Sequence, residues 1–185
     1  MQTLNKEELT IYRKDFFEKV NSGKVFIHPT DTIYGLGCDA TSYDAVKRLR
    51  EAKERASNPF SVIAPSKDWI KANCEVSEEL LGNLPGPVTL ILKLKNKNAV
   101  ADNVNNGLAT LGVRIPDHWI SVFVKELGKP VITTSVNLQG EEHMTKIENI
   151  NPKIKGKIDF AIYEGEKIGH PSKIINAVEN KVIER

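Results

Sequence analysis

Two short stretches of the chain combine residue types that can hold an anion. Residues 28–37, HPTDTIYGLG, bring together hydroxyls, a carboxylate and two glycines. Further along, Lys53 and Arg55 place an ammonium and a guanidinium two residues apart. Such a pair suits a polyphosphate, because the lysine ammonium attracts it as a point charge and the arginine guanidinium can donate two hydrogen bonds to it at once. The alternative is that both are ordinary surface charges.

The apolar run Val25–Ile27 predicts the strand that positions the first stretch. This strand should end at Pro29, because proline cannot donate to a sheet ladder. Thr30 then emerges at the carboxyl end of the strand, the edge at which open α/β sheets bind ligands. Its alternative role is to cap the chain after the strand. Gly35 and Gly37 would let the backbone turn tightly or approach a ligand closely.

Arg114 lies between the apolar residues Val113 and Ile115 inside another predicted strand. A charge in such a position must be paired or must face a wet pocket. The residues alone leave two roles open: an internal salt bridge, or a bidentate clamp on the carboxylate of a substrate amino acid. Ser135 and Asn137 follow a further apolar strand at its carboxyl edge, where small polar residues either cap a loop or contact a ligand.

Several common site types find no support in the sequence. GLGCDA, residues 35–40, formally fits the dinucleotide fingerprint, but no convincing helix opens at Gly37. There is no Walker A loop and no hydrolase motif of the G-x-S-x-G, S-x-x-K or H-E-x-x-H kind. The four histidines are scattered, and the two cysteines, Cys38 and Cys74, form no C-x-x-C. Neither a metal site nor a disulfide framework is therefore expected.

The composition predicts an ordinary globular protein. A chain of 185 residues with 40% hydrophobic and 27% charged residues suits one domain, taken as 1–185. No apolar run approaches the roughly 18–20 residues of a membrane span, and the N-terminus does not resemble a signal peptide. We therefore expect a cytoplasmic protein with no membrane partner. The net charge of +2 does not by itself indicate nucleic acid, and most of the lysines are interpreted as solvated.

Hydrophobic periodicity predicts the elements along the chain. A helix is expected at 6–21, with Leu9, Tyr12, Phe16 and Val20 on one side. A second is expected at 42–54, with Ser42 as its N-cap. Two more are expected at 77–84 and at 116–128, the last with Pro116 at its first position and Gly128 at its end. Strands are expected at 25–27, 60–64, 88–94, 110–115, 131–134, 160–163 and 173–175. Alternation of strands and helices alone suggests a parallel α/β sheet.

Six motifs follow one another along residues 25–175. They are PTDTIYGLG at 29–37, KER at 53–55 with SNP at 57–59, LPGPVT at 84–89, VRIPDH at 113–118, TSVN at 134–137 and PS at 171–172. Together they resemble the signature of the YrdC-type threonylcarbamoyl-AMP synthase family. The resemblance implies a single YrdC-like domain, of α+β (α/β type) class, with a strongly twisted mixed β-sheet packed with helices.

The resemblance also implies an activity, that of an L-threonylcarbamoyladenylate synthase, a nucleotidyltransferase. L-threonine, bicarbonate or CO2, and ATP would form threonylcarbamoyl-AMP and pyrophosphate. ATP would be a substrate, with Mg²⁺ bound through its phosphates and no metal held by the protein. The product would serve threonylcarbamoyladenosine modification of tRNA through a separate threonylcarbamoyl transferase, and tRNA is a candidate partner.

Residue roles follow from the same resemblance, position by position. Lys53 and Arg55 would be the catalytic cations. The expected contacts to L-threonine are Thr30, Arg114, Thr134 and Ser172. The expected contacts to ATP are Lys53, Arg55, Asn58, Ser135 and Asn137.

The chain departs from the commonest family pattern at several positions. Val136 replaces an alanine and is expected to add bulk beside the nucleotide, and Ile63 stands where histidine is frequent. Lys173 stands where many members have threonine after the late serine. Residues 142–145 replace a segment that helps to hold ATP. From the end at Arg185 we expect the extra C-terminal domain of longer members to be missing.

Two other function classes remain open. One is a non-catalytic RNA-binding protein of the same fold. The other is an enzyme that handles a carbamoyl-adenylate, as the related domain of hydrogenase maturation factors does.

Overall fold

The structure, a computed structural model, describes residues 1–184. Within these residues eleven strands join in one sheet. The strands are β1 (Gln2–Leu4), β2 (Phe26–His28), β3 (Gly35–Gly37), β4 (Ser61–Ile63), β5 (Cys74–Glu75), β6 (Val88–Leu94), β7 (Thr110–Arg114), β8 (Val131–Ser135), β9 (Phe160–Ile162), β10 (Lys173–Asn176) and β11 (Lys181–Ile183).

The helices are short and flank the sheet. They are α1 (Lys6–Ile11), α2 (Arg13–Asn21), α3 (Tyr43–Lys53), α4 (Lys67–Asn73), α5 (Glu78–Leu81), α6 (Asp102–Asn105), α7 (Ile120–Leu127) and α8 (Pro152–Lys155). Across residues 1–184, none of them has the length and apolar character needed to cross a membrane.

The strand order is β1-β9-β2-β3-β8-β4-β7-β6-β10-β11, and β5 pairs with β6 outside this path. β1 and β2 run parallel to β9, β4 runs parallel to β7, and β10 runs parallel to β6. The other pairs are antiparallel. The mixed sheet implied by the family resemblance is therefore confirmed, and the parallel sheet suggested by simple alternation is wrong.

The two faces of the sheet are covered differently. Neighbouring residues of a strand point to opposite faces, so Val62 belongs to one hydrophobic cluster, with Leu49 of α3, and Ile63 belongs to another. This second cluster also contains Phe16 of α2 and Phe123 of α7. It covers only part of its face, and the remainder forms the floor of the cavity described below.

The N-terminal helix expected at 6–21 is divided into α1 and α2. The chain leaves helical geometry at Tyr12, with φ −97° and ψ 30°. Tyr12 is 58% exposed, so its expected place with the other apolar residues on the buried side is wrong. Leu9, Phe16 and Val20 are buried as predicted.

The helix expected at 42–54 is confirmed as α3. Ser42 Oγ accepts a hydrogen bond from the Ala45 N–H at 3.3 Å, the contact of an N-cap. The helix ends at Lys53, and Glu54 adopts a left-handed conformation with φ 50°. This turn of the backbone sends Lys53 and Arg55 toward the end of β8.

The helix expected from Pro116 begins four residues later, at Ile120. Asp31 accepts a hydrogen bond from the Asp117 N–H at 2.9 Å, and Ser121 Oγ donates to the Pro116 carbonyl at 2.7 Å. These contacts hold residues 116–119 as a turn against the residues after β2, so helical geometry starts only beyond them. The buried side of α7 consists of Ile120, Phe123 and Val124.

Candidate active site

A cavity of about 420 Å³ opens on the uncovered part of the second sheet face. Its size lies within the range of roughly 300–1,000 Å³ typical of small-molecule sites. The floor consists of alternate residues from six neighbouring strands. They are Gly35, Ser61, Thr89, Ile91, Thr110, Gly112, Arg114, Thr133, Ser135, Ile174 and Asn176.

The walls of this cavity carry positive charge and hydroxyl groups. Arg55 and Arg114 supply two guanidiniums, and hydroxyls come from Thr30, Thr89 and Ser172, among others. Among the described residues that line the cavity, none is acidic. Guanidiniums and hydroxyls together donate to carboxylate and phosphate oxygens, so the cavity is suited to an anionic ligand.

Arg114 lies at the end of β7 and is only 5% exposed. Its Nη2 forms an ion pair with Asp31, and its Nη1 donates to Thr32 Oγ1 at 3.2 Å. The internal salt bridge that the sequence left open is therefore present. Arg114 also lines the cavity, so the ion pair fixes the guanidinium there rather than removing it from the site.

Thr89 and Ser172 form a buried pair of hydroxyls beside Arg114. Their oxygens are 2.7 Å apart, and both side chains line the cavity. In the antiparallel pair β6–β7, Leu90 lies opposite Val113, so Thr89 lies opposite Arg114. The sequence assigned Thr89 no role of its own. Its position as the last residue of the LPGPVT motif is the signal that could have identified it.

Thr30 lies in the turn after β2 and lines the same cavity. Its hydroxyl donates to the Ile33 carbonyl at 2.7 Å and accepts from the Thr32 N–H at 3.1 Å. The capping role that the sequence left open is therefore present at a residue that also faces the cavity. Ile33 is an apolar part of the wall, whereas Ile63 is buried in the second hydrophobic cluster away from it.

Gly35 and Gly37 do not form the tight turn considered from the sequence, because both lie in β3 opposite β2. A Cβ added to Gly35 would lie 2.8 Å from His28 Cε1, and one added to Gly37 would lie 2.9 Å from His28 Cδ2. The missing side chains leave room for the imidazole ring, while Gly35 also forms part of the cavity floor. Burial lowers the pKa of His28 to about 4, so the ring is neutral at neutral pH.

A second, smaller cavity of about 200 Å³ adjoins the first. It is lined by Lys53, Arg55, Asn58, Ser135, Asn137, Gln139 and Gly140. Because Arg55 and Ser135 line both cavities, the two spaces meet at these residues.

The Lys53 ammonium is buried between α3 and the segment after β8. It donates to the carbonyls of Ser135 and Asn137 at 2.5 and 2.8 Å and lies 3.2 Å from Asn137 Oδ1. Burial lowers its pKa to about 7, and the charge of Arg55 acts in the same direction. Lys53 therefore orders the loop that carries Ser135 and Asn137, in addition to bringing a cation to the second cavity.

The guanidinium of Arg55 is held by several contacts. Its Nη2 donates to the Pro59 carbonyl at 2.8 Å, its Nη1 lies 3.4 Å from Thr134 Oγ1, and the guanidinium lies 5.0 Å from the centre of the Phe60 ring. Stacking and hydrogen bonding reduce the number of rotamers that such a long side chain can adopt. The guanidinium is thus fixed at the junction of the two cavities.

Every residue expected at the site from the sequence lines one of the two cavities. The first cavity contains Thr30, Arg55, Arg114, Thr134, Ser135 and Ser172. The second contains Lys53, Arg55, Asn58, Ser135 and Asn137.

The structure corrects one expectation about departures from the family pattern, that Val136 adds bulk beside the nucleotide. Val136 is 2% exposed and packs in the first hydrophobic cluster, on the side away from both cavities, so it adds no bulk there. Within residues 142–145, Met144 is buried and its N–H donates to the Val136 carbonyl at 3.0 Å. Lys173 forms an ion pair with Glu184 at 2.8 Å.

Comparison with known proteins adds independent findings. Residues 18–185 match the profile of the Sua5/YciO/YrdC family, described as "Telomere recombination". A "Putative threonylcarbamoyl-AMP synthase" of Methanocaldococcus jannaschii is 33% identical over 97% of this chain and 87% of its own length. The threonylcarbamoyl-AMP synthase of Bacillus subtilis is 34% identical over 87% of this chain but only 49% of its own length.

A solved structure is similar over nearly the whole chain. The crystal structure of Pyrococcus abyssi Sua5 complexed with L-threonine superposes with a TM-score of 0.85 and 31% identity, over 98% of this chain and 55% of that one. The present chain therefore spans about half the length of the Bacillus and Pyrococcus proteins.

Proposed function

The chain belongs to the Sua5/YciO/YrdC family, and on this premise we propose that it converts L-threonine, bicarbonate or CO2, and ATP into threonylcarbamoyl-AMP and pyrophosphate. The observation that carries the proposal is the cavity with two fixed guanidiniums, a lining rich in hydroxyls and no acidic side chain among its described lining residues. Relatives named for this activity support it, as does the L-threonine complex of the Pyrococcus protein.

Arg114 and the hydroxyls around it suit a small hydroxy-amino acid. The guanidinium binds the α-carboxylate, while Thr30, Thr134 and Ser172 supply donors and acceptors for the amino and hydroxyl groups. Ile33 offers apolar surface to the methyl group of threonine. The ion pair with Asp31 keeps the guanidinium oriented before the ligand arrives, which reduces the ordering cost of binding.

The junction of the two cavities suits the phosphates of ATP. Arg55 faces both spaces, and Asn58, Ser135 and Asn137 add polar groups around the smaller one. Lys53 adds a buried positive charge and holds the Ser135–Asn137 loop. No carboxylate lines the smaller cavity among the described residues, so Mg²⁺ would be held by the ATP phosphates rather than by protein ligands.

The reaction needs little covalent chemistry from the protein. The neutral amine of threonine adds to CO2 and loses a proton, which gives an N-carboxylate. One oxygen of this carboxylate attacks the α-phosphorus of ATP, and the bond to the β-phosphate breaks with release of pyrophosphate. Arg55 and Lys53 stabilise the charge that develops on the leaving group, and the fixed cavity holds both substrates in line.

The product is a mixed anhydride, so an acceptor must consume it before water does. We propose that a separate transferase passes the threonylcarbamoyl group to tRNA, to form threonylcarbamoyladenosine.

The decisive experiment is pyrophosphate release from ATP, with L-threonine and bicarbonate each omitted in turn. Release should require both, and it should fall strongly in Arg55→Met but not in Arg48→Met, a matched change on the outer side of α3. Arg48 contacts Asp159 and the Gly23 carbonyl, away from both cavities. Release that is independent of threonine or bicarbonate would overturn the proposal. Binding of tRNA without any pyrophosphate release would favour the RNA-binding alternative.

A further inference from the structure

The connection between β9 and β10, residues 163–172, ends at one wall of the larger cavity. Its last two residues, Pro171 and Ser172, line the cavity directly. Gly169 lies against the turn after β2, since a Cβ at this position would be 2.8 Å from the Thr32 carbonyl oxygen. The start of the connection is held by Tyr34, whose hydroxyl donates to the Gly165 carbonyl at 2.6 Å.

Glu164, near the start of the connection, contacts three side chains. Its Oε1 is 3.0 Å from His118 Nε2 and 2.6 Å from Lys167 Nζ, and its Oε2 accepts from Trp119 Nε1 at 2.7 Å. The Ile120 N–H donates to His118 Nδ1 at 3.3 Å, so Nε2 carries the proton that is donated to Glu164. The carboxylate therefore joins two separate segments of the chain.

These two segments carry opposite sides of the proposed threonine site. His118 and Trp119 close the turn that follows Arg114, whereas Glu164 begins the connection that ends in Ser172. The Glu164 carboxylate ties the turn to the connection through its contacts with His118 and Trp119. Glu164 itself lines neither cavity, so it does not touch a ligand bound there.

We propose that Glu164 is a positioning residue that sets the width of the cavity between Arg114 and Ser172, and thereby the selection of threonine over larger hydroxy-amino acids. The inference rests on the proposed function. Side chains that hold a binding wall in place matter because a displacement of about 1 Å can cost about 100-fold in rate. The negative charge of Glu164 is matched by Lys167, so it acts through geometry rather than through its field.

The test uses L-3-hydroxynorvaline, which keeps the hydroxyl of threonine and adds one methylene. For the wild-type protein kcat/KM should be lower for this analogue than for threonine by about 10–200-fold, the range typical of one methylene. In Glu164→Ala the KM for threonine should rise about tenfold and the discrimination against the analogue should fall about tenfold, with the KM for ATP unchanged. Glu164→Gln keeps an oxygen for Trp119 and should restore part of the discrimination.

Two controls separate positioning from general damage. Glu166→Ala, two residues along the same connection, should leave discrimination at the wild-type value. Trp119→Phe keeps an aromatic ring and removes one donor to Glu164, so it should shift discrimination in the same direction as Glu164→Ala. A lower melting temperature in Glu164→Ala with unchanged discrimination would overturn the proposal and leave a purely structural role. If the wild-type protein neither binds threonine nor releases pyrophosphate, the proposed function fails and this inference fails with it.

Discussion

The buried imidazole of His28 should make the protein lose stability in mild acid. The ring is fully buried against Gly35 and Gly37, and its Nδ1 lies 3.2 Å from the Pro29 carbonyl oxygen. Burial lowers the pKa of His28 from 6.5 to about 4, and the charge of Arg114 also lowers it.

The size of the effect follows from the difference between the folded and unfolded chains. Below pH 6.5 the unfolded chain takes up a proton at this histidine that the folded protein does not bind until about pH 4. Stability contributed by the neutral ring is therefore complete above pH 6.5 and decreases as the pH falls from 6.5 to 4. Each tenfold difference in proton affinity corresponds to about 1.4 kcal/mol, which gives a loss of about 2 kcal/mol at pH 5 and about 3 kcal/mol below pH 4.

The assay is urea unfolding of wild type and His28→Asn at pH 7.5 and pH 5.0, followed by tryptophan fluorescence. The variant loses packing at both pH values, but its decrease in unfolding free energy between them should be smaller by about 2 kcal/mol. His170→Asn, a change at an exposed histidine, should keep the wild-type decrease. An equal decrease in wild type and His28→Asn would refute the argument, because the buried ring would then not resist protonation.

Four further outcomes are expected. Gly35→Ala should lower the unfolding free energy by about 1–3 kcal/mol, because its Cβ would overlap the His28 ring, and His28→Ala should relieve that loss in a double-mutant cycle. Arg114→Lys keeps the charge and loses the fork, so the KM for threonine should rise about tenfold while the KM for ATP stays constant; a KM for threonine equal to wild type would contradict the carboxylate clamp. Lys53→Met and Arg55→Met should each slow pyrophosphate release, and the double variant should be little worse than the poorer single one, whereas strict additivity would mean that the two cations act on separate steps. Serine should be used at roughly 10–200-fold lower kcat/KM than threonine and valine less than serine, and the opposite order with labelled bicarbonate would show that the hydroxyl is not recognised.

The sequence was most informative where a structure depends on neighbouring residues. Ser42 as N-cap of α3 and the apolar strand β6 at Val88–Leu94 are local signals, and both are confirmed. Short elements escaped prediction because three or four residues carry no measurable periodicity. Among them are β1, β3, β11 and α8.

The candidate site residues could also be selected from the sequence, since the six motifs place most of them. What the sequence could not show is how they share two adjoining cavities. That arrangement depends on the strand order, in which β8 lies between β3 and β4, although it is far from both along the chain. Thr89 and Ser172 meet only because β10 pairs with β6.

The sequence by itself determined the helices with strong caps, the apolar strands and the set of polar residues that could act on an anion. Tertiary structure decided what the charged groups of the site contact. Arg114 forms an ion pair with Asp31. Lys53 donates to the carbonyls of Ser135, at the end of β8, and of Asn137. Gly35 leaves room for the ring of His28 rather than forming a turn. The physical reason is that buried charges and rings must find partners and space wherever the fold provides them. The partners of Arg114 and Lys53 come from residues distant in sequence, which no local pattern indicates.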